Sequence, residues 1–218
     1  MAGSKRTCFF YSILKQIERR WGRSIAIGGY INIGLVFYKG SYLRNFHRLT
    51  DYLITKGISM SKVKFSHGSD GEVWSELDVE ENKIKNRYLE GNYTEFELSG
   101  SKLNDMTINI QKETGYVGFV ISLKWTEVVS HEVIHLQQGI IRCLVDLYHT
   151  LMFEYAFIGH EIEVEIHPDK FEKCLQKQHA FPVALIGKGD HIDIYYGDVA
   201  MDGLSSQERR MECVKVER

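Results

Sequence analysis

The sequence predicts an α+β fold, a mixed or antiparallel sheet packed by helices, and three observations carry that expectation. Several short segments alternate apolar with polar residues: Met106, Ile108 and Ile110 fall on one side, Thr107 and Asn109 on the other. That is the period of a strand with one buried face. Longer stretches repeat their apolar residues at helical spacing, over residues 41–56 and 126–151. Strands also follow strands directly, rather than alternating with helices as in a doubly wound parallel sheet. At 218 residues and 44% hydrophobic content, the chain can bury a sizeable core.

Residues 8–21 predict an amphipathic helix with Phe9, Phe10, Ile13, Ile17 and Trp21 on one face. Its apolar run is too short for an export signal, and no small-residue cleavage site follows. Residues 24–40 read as two apolar strands with glycines at a bend. Ser41 caps a helix to Lys56 with Leu43, Phe46, Leu49, Leu53 and Ile54 facing inward, and Gly57 ends it. A strand at Lys62–Phe65 precedes a polar turn, HGSDGE; a helix over Val79–Leu89 and a strand over Tyr93–Leu98 follow. Residues 99–105 are the candidate boundary between two halves, 1–100 and 101–218, each showing strand, strand, helix, strand. The two halves are also compatible with one continuous domain. In the second half, KETG turns Met106–Ile110 into Val117–Leu123, a hairpin. A helix from Thr126 to Leu151 comes next, then strands at Tyr155–Ile158 and Glu161–Ile166. Pro168 opens a short helix, and Val183–Ile186 and His191–Tyr196 form a hairpin around GKGD.

Charge is unevenly spread. Residues 1–100 carry 15 Lys+Arg against 11 Asp+Glu, and residues 101–218 carry 12 against 18. An acidic second half argues against nucleic acid as the main partner and fits a basic protein partner or metal chemistry. The four cysteines, Cys8, Cys143, Cys174 and Cys213, lie far apart without a C-x-x-C pair, which points to free thiols in a reducing compartment. The expectation is a cytoplasmic protein with no membrane span and no disulfide framework. Phosphate-loop, dinucleotide and nucleophile-elbow signatures do not occur. His191 and Asp193 alternate along one strand and could ligate a metal, although a surface pair is the commoner meaning of that spacing.

Two segments carry chemistry. The first is His131-Glu132-Val133-Ile134-His135, an H-E-x-x-H pattern on a predicted helix. Histidines four apart lie on one helix face, so both imidazoles could reach one zinc ion. Glu132 would then activate a zinc-bound water, giving a metallohydrolase, with a third ligand from Glu154, His160, Glu161 or His149. Against this, Arg142 falls on the same stripe as His131, His135, Gln138, Asp146 and His149, and no third histidine sits at the extended-motif spacing. A solvent-facing polar stripe on an otherwise apolar helix is the preferred account, with no cofactor and no catalytic residue. The zinc hydrolase stands as the alternative.

The second segment is EYAFIGHEIEVEIHP, in which Ile162, Val164 and Ile166 point one way and Glu161, Glu163 and Glu165 the other. Like charges on alternate positions repel unless a cation or basic partner meets them, and they also suit the solvated face of an edge strand. Together with GYVGFVISLKW and DVAMDGLSSQER, this segment resembles the bacterial polymorphic-toxin immunity proteins over residues 93–210. That resemblance implies a small cytoplasmic α+β protein that neutralises a cognate toxin by direct occlusion, with no catalytic residues. It makes Glu161, Glu163, Glu165, Asp198 and Asp202 the candidates for meeting a basic toxin surface.

Overall fold

The computed structural model describes residues 29–67, 73–80, 83–100, 103–125, 133–177 and 181–216. The helix expected over residues 8–21 lies outside them. The described elements run β1 (Tyr30–Tyr38), α1 (Tyr42–Thr55), β2 (Ile58–His67), β3 (Val73–Asp78), β4 (Tyr93–Gly100), β5 (Leu103–Lys112) and β6 (Tyr116–Lys124). They continue with α2 (Val133–Leu151), β7 (Tyr155–His160), α3 (Pro168–Lys177), β8 (Val183–Gly187), β9 (His191–Tyr196) and β10 (Arg210–Lys215). All ten described strands join one sheet in the order β10-β9-β8-β7-β1-β6-β5-β4-β2-β3. Every pairing in it is antiparallel. The α+β class therefore holds, in its antiparallel form. β1 lies between β6 and β7, and residues 99–105 join β4 to β5 as antiparallel neighbours.

One face of the sheet carries the main core. Ile31, Ile33, Leu35 and Phe37 of β1 and Val117, Phe119, Ile121 and Leu123 of β6 point to it, as the alternation predicts. Phe46, Leu49 and Leu53 of α1 and Ile140, Leu144 and Leu147 of α2 close over them. Leu43 and Ile54, expected to face inward, are exposed, since they flank the stripe that meets the sheet. Ser41 stands at the start of α1, but its hydroxyl donates to Tyr38 O at 3.2 Å instead of capping a helix N–H. α2 ends where Met152 adopts φ +49 and its N–H bonds Tyr148 O at 2.9 Å, a left-handed helix stop. Among the described residues no helix is long and apolar enough to cross a membrane.

Two expectations fail before β4. Among the described residues of Val79–Leu89 no α-helix forms: Glu80 stands in one 3-10 turn and Asn86–Leu89 form another, held because Tyr88 and Leu89 plug into the core. Ahead of it lies β3, an edge strand that pattern reading misses because almost all its residues are exposed on both faces.

The second face is divided. Over β7 and β8 it carries a smaller core, in which Tyr155 stacks on Phe171 of α3 with ring centroids 3.6 Å apart. Tyr38 Oη donates to Asp169 Oδ1 at 2.5 Å, fixing the start of α3 to the end of β1, and that bond pushes the phenol up to about 12. Over β5 and β4 the same face turns Thr107, Asn109, Glu95 and Glu97 outward. The junction between these two territories is where the acidic segment lies.

Candidate functional site

The chain leaves β7 at His160 and turns at Glu161, which adopts φ +50, a conformation that a side chain disfavours by about 1–2 kcal/mol. The Glu161 N–H bonds Tyr30 O at 3.1 Å. Residues 162–166 then lie across the second face, over β1 and β6, and form no strand. The strand expected at Glu161–Ile166 is thus corrected: the alternation is real, but beyond the Glu161 bond to Tyr30 no strand among the described residues pairs with it. Side chains hold it instead. Asn32 Nδ2 donates to Ile162 O at 3.1 Å, the Val164 N–H donates to Gln111 Oε1 at 2.9 Å, and Tyr155 Oη donates to Ile166 O at 2.5 Å.

Two glycines permit this close approach. A Cβ on Gly118 would stand 2.3 Å from Val164 Cγ2, and one on Gly159 would stand 2.1 Å from Ile162 Cδ1. Val164 is only 3% exposed, and burying such a side chain stabilises by about 1.5–3 kcal/mol, which anchors the segment. With Ile162, Val164 and Ile166 turned to the sheet, Glu161, Glu163 and Glu165 face solvent.

Between this segment and β4 runs a groove of about 780 Å³. Its floor is one cross-strand row: Asn32, Ser122, Thr107 and Glu97 are successive partners on β1, β6, β5 and β4. Glu161 and Glu163 stand on one side and Glu95 and Glu97 on the other, with Lys124 of β6 reaching the same space. Tyr93 Oη donates to Glu95 Oε2 at 2.9 Å; burial, then this bond, push the phenol far above its ordinary range. Asn32 is 8% exposed, and its Oδ1 has no hydrogen-bond partner among the described residues. Leaving such an acceptor unmet costs about 1–3 kcal/mol. The four carboxylates lining the groove make a site for a donor-rich cation, an arginine or lysine side chain.

The other expected residues are scattered. Glu165 is exposed on the same segment outside the groove, and Asp198 is exposed in the loop after β9. Asp202 ties its own turn: its carboxylate accepts from the N–H of Leu204 at 3.1 Å, the N–H of Ser205 at 2.9 Å and Ser205 Oγ at 2.6 Å. Burial acts to raise its pKa but is outweighed by the Ser205 and Leu204 hydrogen bonds and the nearby His160, so the carboxyl sits below its ordinary value. A lowered folded pKa adds stability above the unfolded value, about 3.9, which is lost as pH falls through the folded value. Amide shifts of Leu204 and Ser205 should accordingly titrate below that pH, and Asp202→Asn should abolish the titration.

His131 and Glu132 lie outside the described residues. His135, Arg142, Asp146 and His149 are exposed and Gln138 is half-exposed, so the described part of that stripe faces solvent. Glu154 is tied through its N–H to Val36 O, and burial, then Asp169, raise its carboxyl. His160 packs edge-on against Trp125, with centroids 4.7 Å apart. Sequence reading did not single out Glu95, Glu97 or Asn32. The outward alternation of Glu95 and Glu97 in YTEFEL is visible, but which strand they face is set by the topology.

A model of the family described as Immunity protein 64 (Imm64) matches residues 27–207. No curated protein and no solved structure is significantly similar to the chain.

Proposed function

Since the chain belongs to the Immunity protein 64 family, we propose that it neutralises a cognate toxin by binding it directly, with the acidic groove receiving basic side chains of that toxin. The observation that carries this reading is that Glu95, Glu97, Glu161 and Glu163 line one groove from its two sides. A guanidinium entering the groove would donate to more than one carboxylate at once, through its planar fork of N–H groups. Inhibition then follows from occlusion and needs no reaction. The cytoplasmic setting expected from the sequence belongs to the same proposal.

Attraction between an acidic groove and a basic surface accelerates association by about 10–10³-fold, and added salt screens it. Stopped-flow association with the purified toxin domain should slow at least tenfold, within that range, between low and high ionic strength, while dissociation changes little. A salt-independent association rate would count against the groove as the docking site. As a control, Glu132→Gln, which removes the carboxylate that the hydrolase alternative requires, should leave affinity within about threefold.

A further inference from the structure

At the far edge of the sheet, His191 and Asp193 of β9 meet Cys213 of β10. Cys213 is the direct cross-strand partner of Asp193, and His191 lies two residues along, on the same face. One ligand atom from each lies within 4.8 Å of the others. His191 Nδ1 is 2.8 Å from Asp190 Oδ1, which leaves Nε2 turned toward Asp193 Oδ1 at 3.9 Å. A carboxylate on one imidazole nitrogen and a ligand cluster at the other is the arrangement that orients metal-binding histidines.

We infer that His191, Asp193 and Cys213 form a zinc(II) site that fastens the outermost strand β10 to β9. Imidazole, carboxylate and thiolate together suit zinc over calcium or magnesium, which prefer oxygen alone. Zinc bond lengths of about 2.0–2.3 Å place tetrahedral donors about 3.3–3.5 Å apart, so small side-chain rotations close the site. Lys215, the cross-strand partner of His191, opposes a cation there. Two carboxylates and a thiolate outweigh that single charge. Zinc binding displaces the thiol proton of Cys213 to solvent, and the fourth position falls to water. β10 is an edge strand with nearly all of its residues exposed, so a metal cross-link supplies the fastening that packing does not.

The test titrates cobalt(II), then zinc(II), into the full chain purified without a histidine tag. A cobalt–thiolate charge-transfer band saturating at one equivalent is expected, bleached by zinc. Cys213→Ser should lose the band, and Asp190→Asn should weaken binding about 10–100-fold. His135→Ala should keep it, separating this site from the HEVIH segment. Zinc at a hundredfold excess over Kd should raise Tm by about 5–10 °C in the unaltered protein and not in His191→Ala. Absence of the band in the unaltered protein, its survival in Cys213→Ser, or its loss in His135→Ala would each overturn the assignment.

Discussion

Reversing Glu161 and Glu163 to lysine together is expected to weaken toxin binding by on the order of 10²-fold or more. The two carboxylates line one side of the groove, and replacing them sets like charges against whatever basic groups enter. Losing one partner of a desolvated charge pair costs about 2–5 kcal/mol, and each 1.4 kcal/mol is tenfold in Kd. Glu165→Lys should cost far less, because that side chain stands outside the groove and an exposed pair contributes only about 0.2–1 kcal/mol. Glu113→Lys serves as the control outside the groove: it lies in the turn just past the end of β5 and does not line the groove. Isothermal titration against the toxin domain reads all three. Equal losses for Glu113→Lys and the double reversal would mean that net charge, not this groove, drives binding.

The second large effect needs no change of charge. Gly118→Ala places a Cβ 2.3 Å from Val164 Cγ2 and 2.8 Å from its Cγ1. A branched side chain stiff about χ1 cannot swing both methyls away, so the segment itself must lift. Such overpacking costs about 1–3 kcal/mol, or about 2–12 °C in Tm for a chain of this size. Lifting the segment displaces Glu161 and Glu163 as well, so toxin affinity should fall although both carboxylates remain. Adding Val164→Ala makes room for the new methyl and should restore part of both quantities. Strict additivity of the two substitutions in melting and binding would show that the contact is not what holds the groove wall. Gly159→Ala should be milder, since it meets the flexible end of Ile162.

These sites show how far a pattern of residues carries. Alternation over Ile162–Ile166 correctly reports which side chains face inward, because period two is set by the extended backbone alone. It does not report what lies alongside, so an unpaired segment laid over glycines reads the same as a strand. The hairpin partners β5 and β6 are recoverable because their contacts are local, with KETG as the only connection. The groove is not recoverable, since Glu97 and Glu161 approach only through a sheet order that places β4 three strands from β1. In the same way, Asp202 reads as a free surface acid in DVAMDGLSSQER, whereas its carboxylate is committed to the backbone of its own turn. The metal cluster lies between these extremes. His191 and Asp193 are visible as a pair, but Cys213 joins them only once β10 is set beside β9.

The position of β1 between β6 and β7 also bears on when the protein can act. A ribosome releases β1 early, yet both of its neighbours are still to be made, the second ending at His160, about 120 residues later. At elongation rates of about 5–20 residues per second, that interval is on the order of 6–24 s. Until β6 has been made, Ile31, Ile33, Leu35 and Phe37 have no neighbouring strand to join. The centre of the sheet is therefore complete only once the chain has been made through His160, whereas the groove floor from Asn32 to Glu97 can close once β6 ends at Lys124. On the proposed function, a cell relying on newly made copies would meet the toxin with a fixed lag, so protection would rest on a standing stock of finished molecules rather than on synthesis at need.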